Sequence, residues 1–199
     1  MKQSDMKGHL AAFVTIFIWG TTFISTKVLL KSFSPIEILF IRFLIGYATL
    51  WLVYPHQLKP AEKKQELCFA AAGLCGVTLY YLMENMALTY TLASNVGVII
   101  SIAPFFTAIF SFFLRKGDKP GKRFFLGFVM AMAGICLISG SSGAALSLNP
   151  LGDILAIGAA IIWAVYSLLT RKIGDFGYHV VQATRRTFFY GLIFMIPVL

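Results

Sequence analysis

Seven stretches of this sequence are apolar over about the thickness of a bilayer's hydrocarbon core, and that leaves few folds open to it. They are His9–Leu30, Pro35–Tyr54, Leu67–Leu88, Ala93–Leu114, Phe124–Leu146, Leu151–Thr170 and Val180–Leu199, against the ~20 residues a helix needs to cross. The fifth is interrupted by SGSSG at 139–143. Of the 199 residues, 58% are hydrophobic and 13% charged, about half the charge of an ordinary soluble domain. The expected fold class is an all-α membrane protein with about seven transmembrane helices.

The net charge of +9 does not point to nucleic acid, because the basic residues are dispersed between spans and form no stripe or arm. Their placement gives orientation instead. Lys2 and Lys7 precede the first span; Lys59, Lys63 and Lys64 fill the second connection; Arg115, Lys116, Lys119, Lys122 and Arg123 fill the fourth; and Arg171 and Lys172 fill the sixth. The alternate connections hold only Lys27 and Lys31, near the first. The positive-inside rule therefore places the N-terminus in the cytoplasm of a multi-pass protein of the cell membrane. A cleaved signal peptide does not fit, since no small-x-small site closes the first apolar run. Cys68, Cys75 and Cys136 fall within spans and read as packing residues, and the sequence shows no metal or cofactor spacing.

The chain also repeats itself. A shift of 144 residues pairs Gly8 with Gly152, Ala12 with Ala156, Ile18 with Ile162, Trp19 with Trp163, Thr26 with Thr170 and Arg42 with Arg186, and sets Lys27 against Arg171. A mid-span Trp and an intramembrane Arg are each uncommon, and here both keep register without a gap. The second copy starts at the sixth span, so the unit has five helices, an odd number, and successive units enter the membrane from opposite sides. The expected architecture is a helical bundle of inverted five-helix repeats: residues 1–144 form the first, and residues 145–199 begin the second with two helices. Two whole units exceed the 199 residues, so the sequence is expected to be part of a longer chain. Inverted halves can exchange conformations, which is the physical basis of alternating access and points to a transporter.

Candidate site residues follow from what is polar at membrane depth. Thr15, Trp19, Thr22 and Thr26 lie at spacings of four, three and four on one helix face. The hydroxyls could line a path or bond back to their own helix, whereas Trp19 and its counterpart Trp163 each need a polar neighbour. Ser94, Gly97, Ser101 and Pro104 share a face of the fourth span that bends at the proline, where the carbonyl of Ile100 loses its donor. Arg42 costs roughly 2.5–3.5 kcal/mol at a helix centre and should face a substrate, water or a structural partner. Glu84 is a possible partner for it, a contact for a substrate amine, or an interfacial carboxylate. The pairs Ala72/Gly76 and Gly127/Ala131 read as close-approach sites between helices.

The pieces IWGTTFISTK, LFIRFLIG, ALTYTLASNVGVIISIAPFFTAIFSFFL and LGFVMAMAGICLI together resemble the EamA-type transporters of the drug/metabolite transporter superfamily. The resemblance covers most of Leu10–Ile138, and a partial second copy begins near Gly152. It implies ten helices, of which about seven are present, termini in the cytoplasm, a central cavity and the export of amino acids or other small metabolites. It also implies that Trp19, Arg42, Ser94, Asn95, Ser101 and Pro104 belong to cavity-forming helices. Where the family often carries an acidic residue after the fourth helix, this sequence has Lys116-Gly117-Asp118. The expected partners are a small-molecule metabolite and the lipid bilayer, with no nucleic acid and no cofactor; the oligomeric state is open. The competing reading is a seven-helix membrane receptor or scaffold without transport activity. An intramembrane enzyme would need a nucleophile, base or metal set that the spans do not display.

Overall fold

The computed structural model describes residues 3–58, 62–115, 120–141 and 149–199. Lys2, Lys59, Lys116, Gly117, Asp118 and Lys119, and Ser142 and Gly143 of the interruption, lie outside the described residues. Helices α1 (Gln3–Leu29) and α2 (Pro35–Val53) form the first two spans. The third is continuous from Lys63 to Tyr90: α3 (Lys63–Ala72) passes through a π-helical segment, Gly73–Leu79, into α4 (Tyr80–Tyr90). The fourth is α5 (Ala93–Ile100) followed by α6 (Ala103–Arg115). Then come α7 (Lys122–Ser141), α8 (Pro150–Gly174) and α9 (Val180–Met195), which ends in a 3₁₀ turn at Ile196–Val198.

Among the described residues five helical segments are long and apolar enough to cross a membrane: Gly8–Leu29, Pro35–Val53, Lys63–Tyr90, Ala93–Phe113 and Pro150–Gly174. No strand occurs among those residues. The protein is an all-α membrane protein.

Local chemistry sets the helix ends. Ser34 opens α2 with a capping box: its Oγ accepts from the Glu37 N–H while its own N–H donates to Glu37 Oε2 at 2.8 Å, and Pro35 follows at the first helical position. Asn149 opens α8 by accepting from the Gly152 N–H at 3.1 Å, and Arg171 and Lys172 lie in its last turn, where the helix dipole favours cations. Gly177, at φ 74°, makes the left-handed step that returns the chain into α9.

Helix α8 occupies the centre, packed against α3, α4, α5 and α6, and α9 packs against α2, α3 and the π-helical segment. The α9 crossing is close because of glycine. A Cβ on Gly73 would lie 2.7 Å from the backbone of Gly191 and Thr187, and one on Gly76 would enter the Tyr166 ring. The expected close approach at Ala72/Gly76 is therefore present. At Gly127 it is not: nothing lies within 4 Å of a Cβ placed there, because α7 packs chiefly along α5 at the edge of the bundle. Cys136, on α7, is exposed, unlike buried Cys68.

Candidate functional site

The fourth span bends where expected. Pro104 cannot donate to Ile100, and the chain leaves α-helical geometry at Ser101 and Ile102, with the Ser101 hydroxyl donating back to the Gly97 carbonyl at 2.7 Å. Beside the bend a cavity of about 570 Å³ opens between the fourth span, α1, α2, α4 and α8. Trp19 and Thr22 of α1, Arg42 of α2, Glu84 of α4, Ser101 and Pro104 at the bend and Trp163 of α8 all line it. These residues come from four separate spans and the start of the supposed second repeat.

Three expected residues do not line this cavity. Thr26 is buried, between Phe23 and Leu30, which pack on Ala87, Leu88 and Val96. Asn95 is buried on α5 and donates from Nδ2 to the Thr91 hydroxyl at 3.1 Å. Ser94 is half-buried on the same helix, two turns before the bend. The α1 hydroxyls satisfy themselves on their own helix: Thr15 donates to the Ala11 carbonyl at 2.8 Å and Thr22 to that of Trp19 at 2.9 Å.

The electrostatics of the cavity rest on Arg42 and Glu84. The Arg42 guanidinium stands 4.5 Å over the Tyr81 ring, and its Nη2 is buried without a hydrogen-bond partner. Glu84 is only 5% exposed, so it is no interfacial carboxylate. The two line one cavity but do not form an ion pair. Such a wall can take an oxyanion on the planar donors of Arg42 and a cation on Glu84. Its aromatic faces attract cations as well. Trp19 and Trp163 meet edge to face at 5.8 Å, and Tyr80 lies 4.7 Å from Trp163. Among the described residues no group of three His, Cys, Asp or Glu side chains could hold a metal ion.

Arg186, the counterpart of Arg42 under the 144-residue shift, has a different environment. It forms an ion pair with Glu66 at 2.6 Å and lies outside the cavity. The sequence reading also missed Tyr80, Tyr81, Phe43 and Phe188, which complete the aromatic wall. The available signal was the spacing of Tyr80 and Glu84, one helical turn apart at membrane depth.

The chain was compared with known proteins. Residues 6–140 match the EamA-like transporter family. A protein named "Uncharacterized transporter" from Archaeoglobus fulgidus is 33% identical over 97% of this chain and 67% of its own length. YvbV of Bacillus subtilis, an uncharacterized transporter, is 28% identical over 83% of this chain and 54% of its own length. YedA of Escherichia coli, an uncharacterized inner membrane transporter, is 30% identical over 82% of this chain and 53% of its own length. The chain thus spans about half to two thirds of the length of these curated relatives. With its membrane-spanning helices, its aromatic cavity and a family match over most of its length, the chain belongs to the EamA-like transporter family.

Proposed function

We propose that this membrane transporter exports amino acids or other small metabolites across the cytoplasmic membrane by alternating access, and that the aromatic cavity is its substrate site. In this reading residues 1–144 are one five-helix repeat, residues 145–199 begin an inverted second one, and the N-terminus is cytoplasmic. The observation that supports it most is that the two tryptophans superimposed by the 144-residue shift touch each other in the wall of a single cavity. Repeats that share a site at their common boundary can pass it from one face of the membrane to the other by exchanging conformations. Arg42 and Glu84 offer complementary charges to the two ends of a zwitterion.

The test is a flux screen in proteoliposomes with radiolabelled amino acids. Counterflow of one or more amino acids that depends on the protein and is lost in an Arg42→Gln/Glu84→Gln double variant is the expected result. Flux of amino acids indistinguishable from that of empty liposomes would overturn the substrate class.

A further inference from the structure

A second pocket continues along the seam between α2 and α9. Gly46 and Phe188 belong to the aromatic cavity; the next residue of α2, Tyr47, and Trp51, one turn beyond it, face Arg185, Arg186 and Phe189 across a space of about 240 Å³. The stretch after α2, with Gln57 and Leu58, closes its far end.

The charges around this space do not balance. Arg186 is neutralised by Glu66, which it grips with Nε at 3.1 Å and Nη2 at 2.6 Å, while the Tyr190 hydroxyl donates to the same carboxylate. Arg185 is buried, 5% exposed, and among the described residues it forms no ion pair with a carboxylate. Its guanidinium donates to the carbonyls of Tyr54, at 2.8 Å, and His56, and stacks 3.8 Å over the Trp51 ring. Carbonyls at the end of α2 supply only the partial charge of a helix terminus, about half an elementary charge. A buried cation is ordinarily matched by an anion, and here the remaining positive charge faces the pocket.

Depth and surroundings narrow the identity of that anion. Tyr47 and Trp51 lie in the last two turns of α2, the level at which aromatic belts meet lipid headgroups. The same end of the bundle carries Lys63 and Lys64 at the start of α3 and Arg171 and Lys172 at the end of α8. Guanidinium groups favour phosphate oxygens, and basic pockets between spans take anionic headgroups. We infer that the Arg185 pocket binds the phosphate of an anionic phospholipid headgroup, at a site separate from the substrate cavity.

The experiment does not depend on transport. The protein is purified, delipidated in neutral detergent and titrated with phosphatidylglycerol, phosphatidylcholine or inorganic phosphate, with bound lipid read by native mass spectrometry and stability by thermal unfolding. Phosphatidylglycerol should bind and raise Tm, whereas phosphatidylcholine and inorganic phosphate should not. Arg185→Gln should abolish the preference, but it also cuts the bonds to Tyr54 and His56. Gln57→Glu is the sharper variant: among the described residues the exposed Gln57 is held through its main-chain carbonyl, which accepts from Gln182 at 3.0 Å. It should weaken phosphatidylglycerol roughly fivefold, the effect of about one surface charge, and Gln57→Lys should not. Equal binding of both lipids, an equal Tm shift with inorganic phosphate alone, or a Gln57→Glu variant that binds phosphatidylglycerol as the wild type does would overturn the assignment.

Discussion

Trp19 and Trp163 stand edge to face with ring centroids 5.8 Å apart and planes at 86°, although 144 positions separate them. Helix α1 is otherwise lightly held: only 6% of its apolar window is buried, and its packing is on α4 and α5. The indole contact is thus its aromatic tie to α8. A double-mutant cycle with Trp19→Leu and Trp163→Leu, followed by thermal or denaturant unfolding in detergent, should yield a coupling energy of about 0.5–1.5 kcal/mol. Additive effects of the two substitutions would mean that the contact contributes nothing.

Arg42 separates a substrate role from a structural one. Its ring contact with Tyr81 tolerates any cation, whereas its buried, unpartnered Nη2 is available to a substrate. Arg42→Lys should keep the folded yield and lower transport per folded molecule by about tenfold, since a point charge cannot reproduce the planar two-pronged donor set. Transport at the wild-type rate in the Lys variant, at matched folded amount, would remove Arg42 from the site.

The crossing of α9 over the π-helical segment predicts an asymmetry between two glycines that look alike in sequence. Gly73→Ala drives a methyl against the Gly191 and Thr187 backbone at 2.7 Å, where neither partner can yield as a side chain would. It should cost about 1–3 kcal/mol or abolish the folded yield. Gly127→Ala meets nothing within 4 Å and should leave stability unchanged or slightly higher. Tm values from fluorescence-detected size exclusion decide the comparison, and equal losses at the two positions would contradict the packing described.

Orientation is tested by thiol labelling. With the native cysteines replaced, Cys at Ser142 should react with an impermeant reagent on intact cells and Cys at Gly117 should react only after permeabilisation. Labelling of the Gly117 variant from outside would invert the topology.

Five of the seven spans and the bend were legible in the sequence because both follow from strong, local physics: apolar length in the first case and a missing proline N–H in the second. Arg42 and Trp19 were legible because a charge or an indole at membrane depth demands a cavity or partner. Helix faces were harder to read. A shared face does not tell how far along the helix a cavity extends: Thr22 reaches it, while Thr26, one turn on, is buried where Phe23 and Leu30 pack on Ala87, Leu88 and Val96. Ser94 and Ser101 lie at opposite ends of α5, and only the one at the bend lines the space. The π-helical segment had no signature in the sequence, because Gly73 and Gly76 mark close approach in any helix. Glu84 read equally well as interfacial, since distance from a span end does not tell how much protein covers it.

The account's central claim is that the aromatic cavity is the transport site, and substrate protection at its wall tests this most directly. Ser101→Cys lines the cavity, and Ile45→Cys, next to the lining residue Gly46, is 62% exposed on the outer face of α2. In a background without native cysteines, the rate of modification by a small polar thiol reagent is measured in proteoliposomes, with and without a mixture of amino acids that the flux screen shows to be carried. The account predicts rapid modification of Ser101→Cys that substrate slows severalfold, and slow, substrate-independent modification of Ile45→Cys. Modification of Ser101→Cys at one rate with and without substrate, while the same variant still transports, would contradict it.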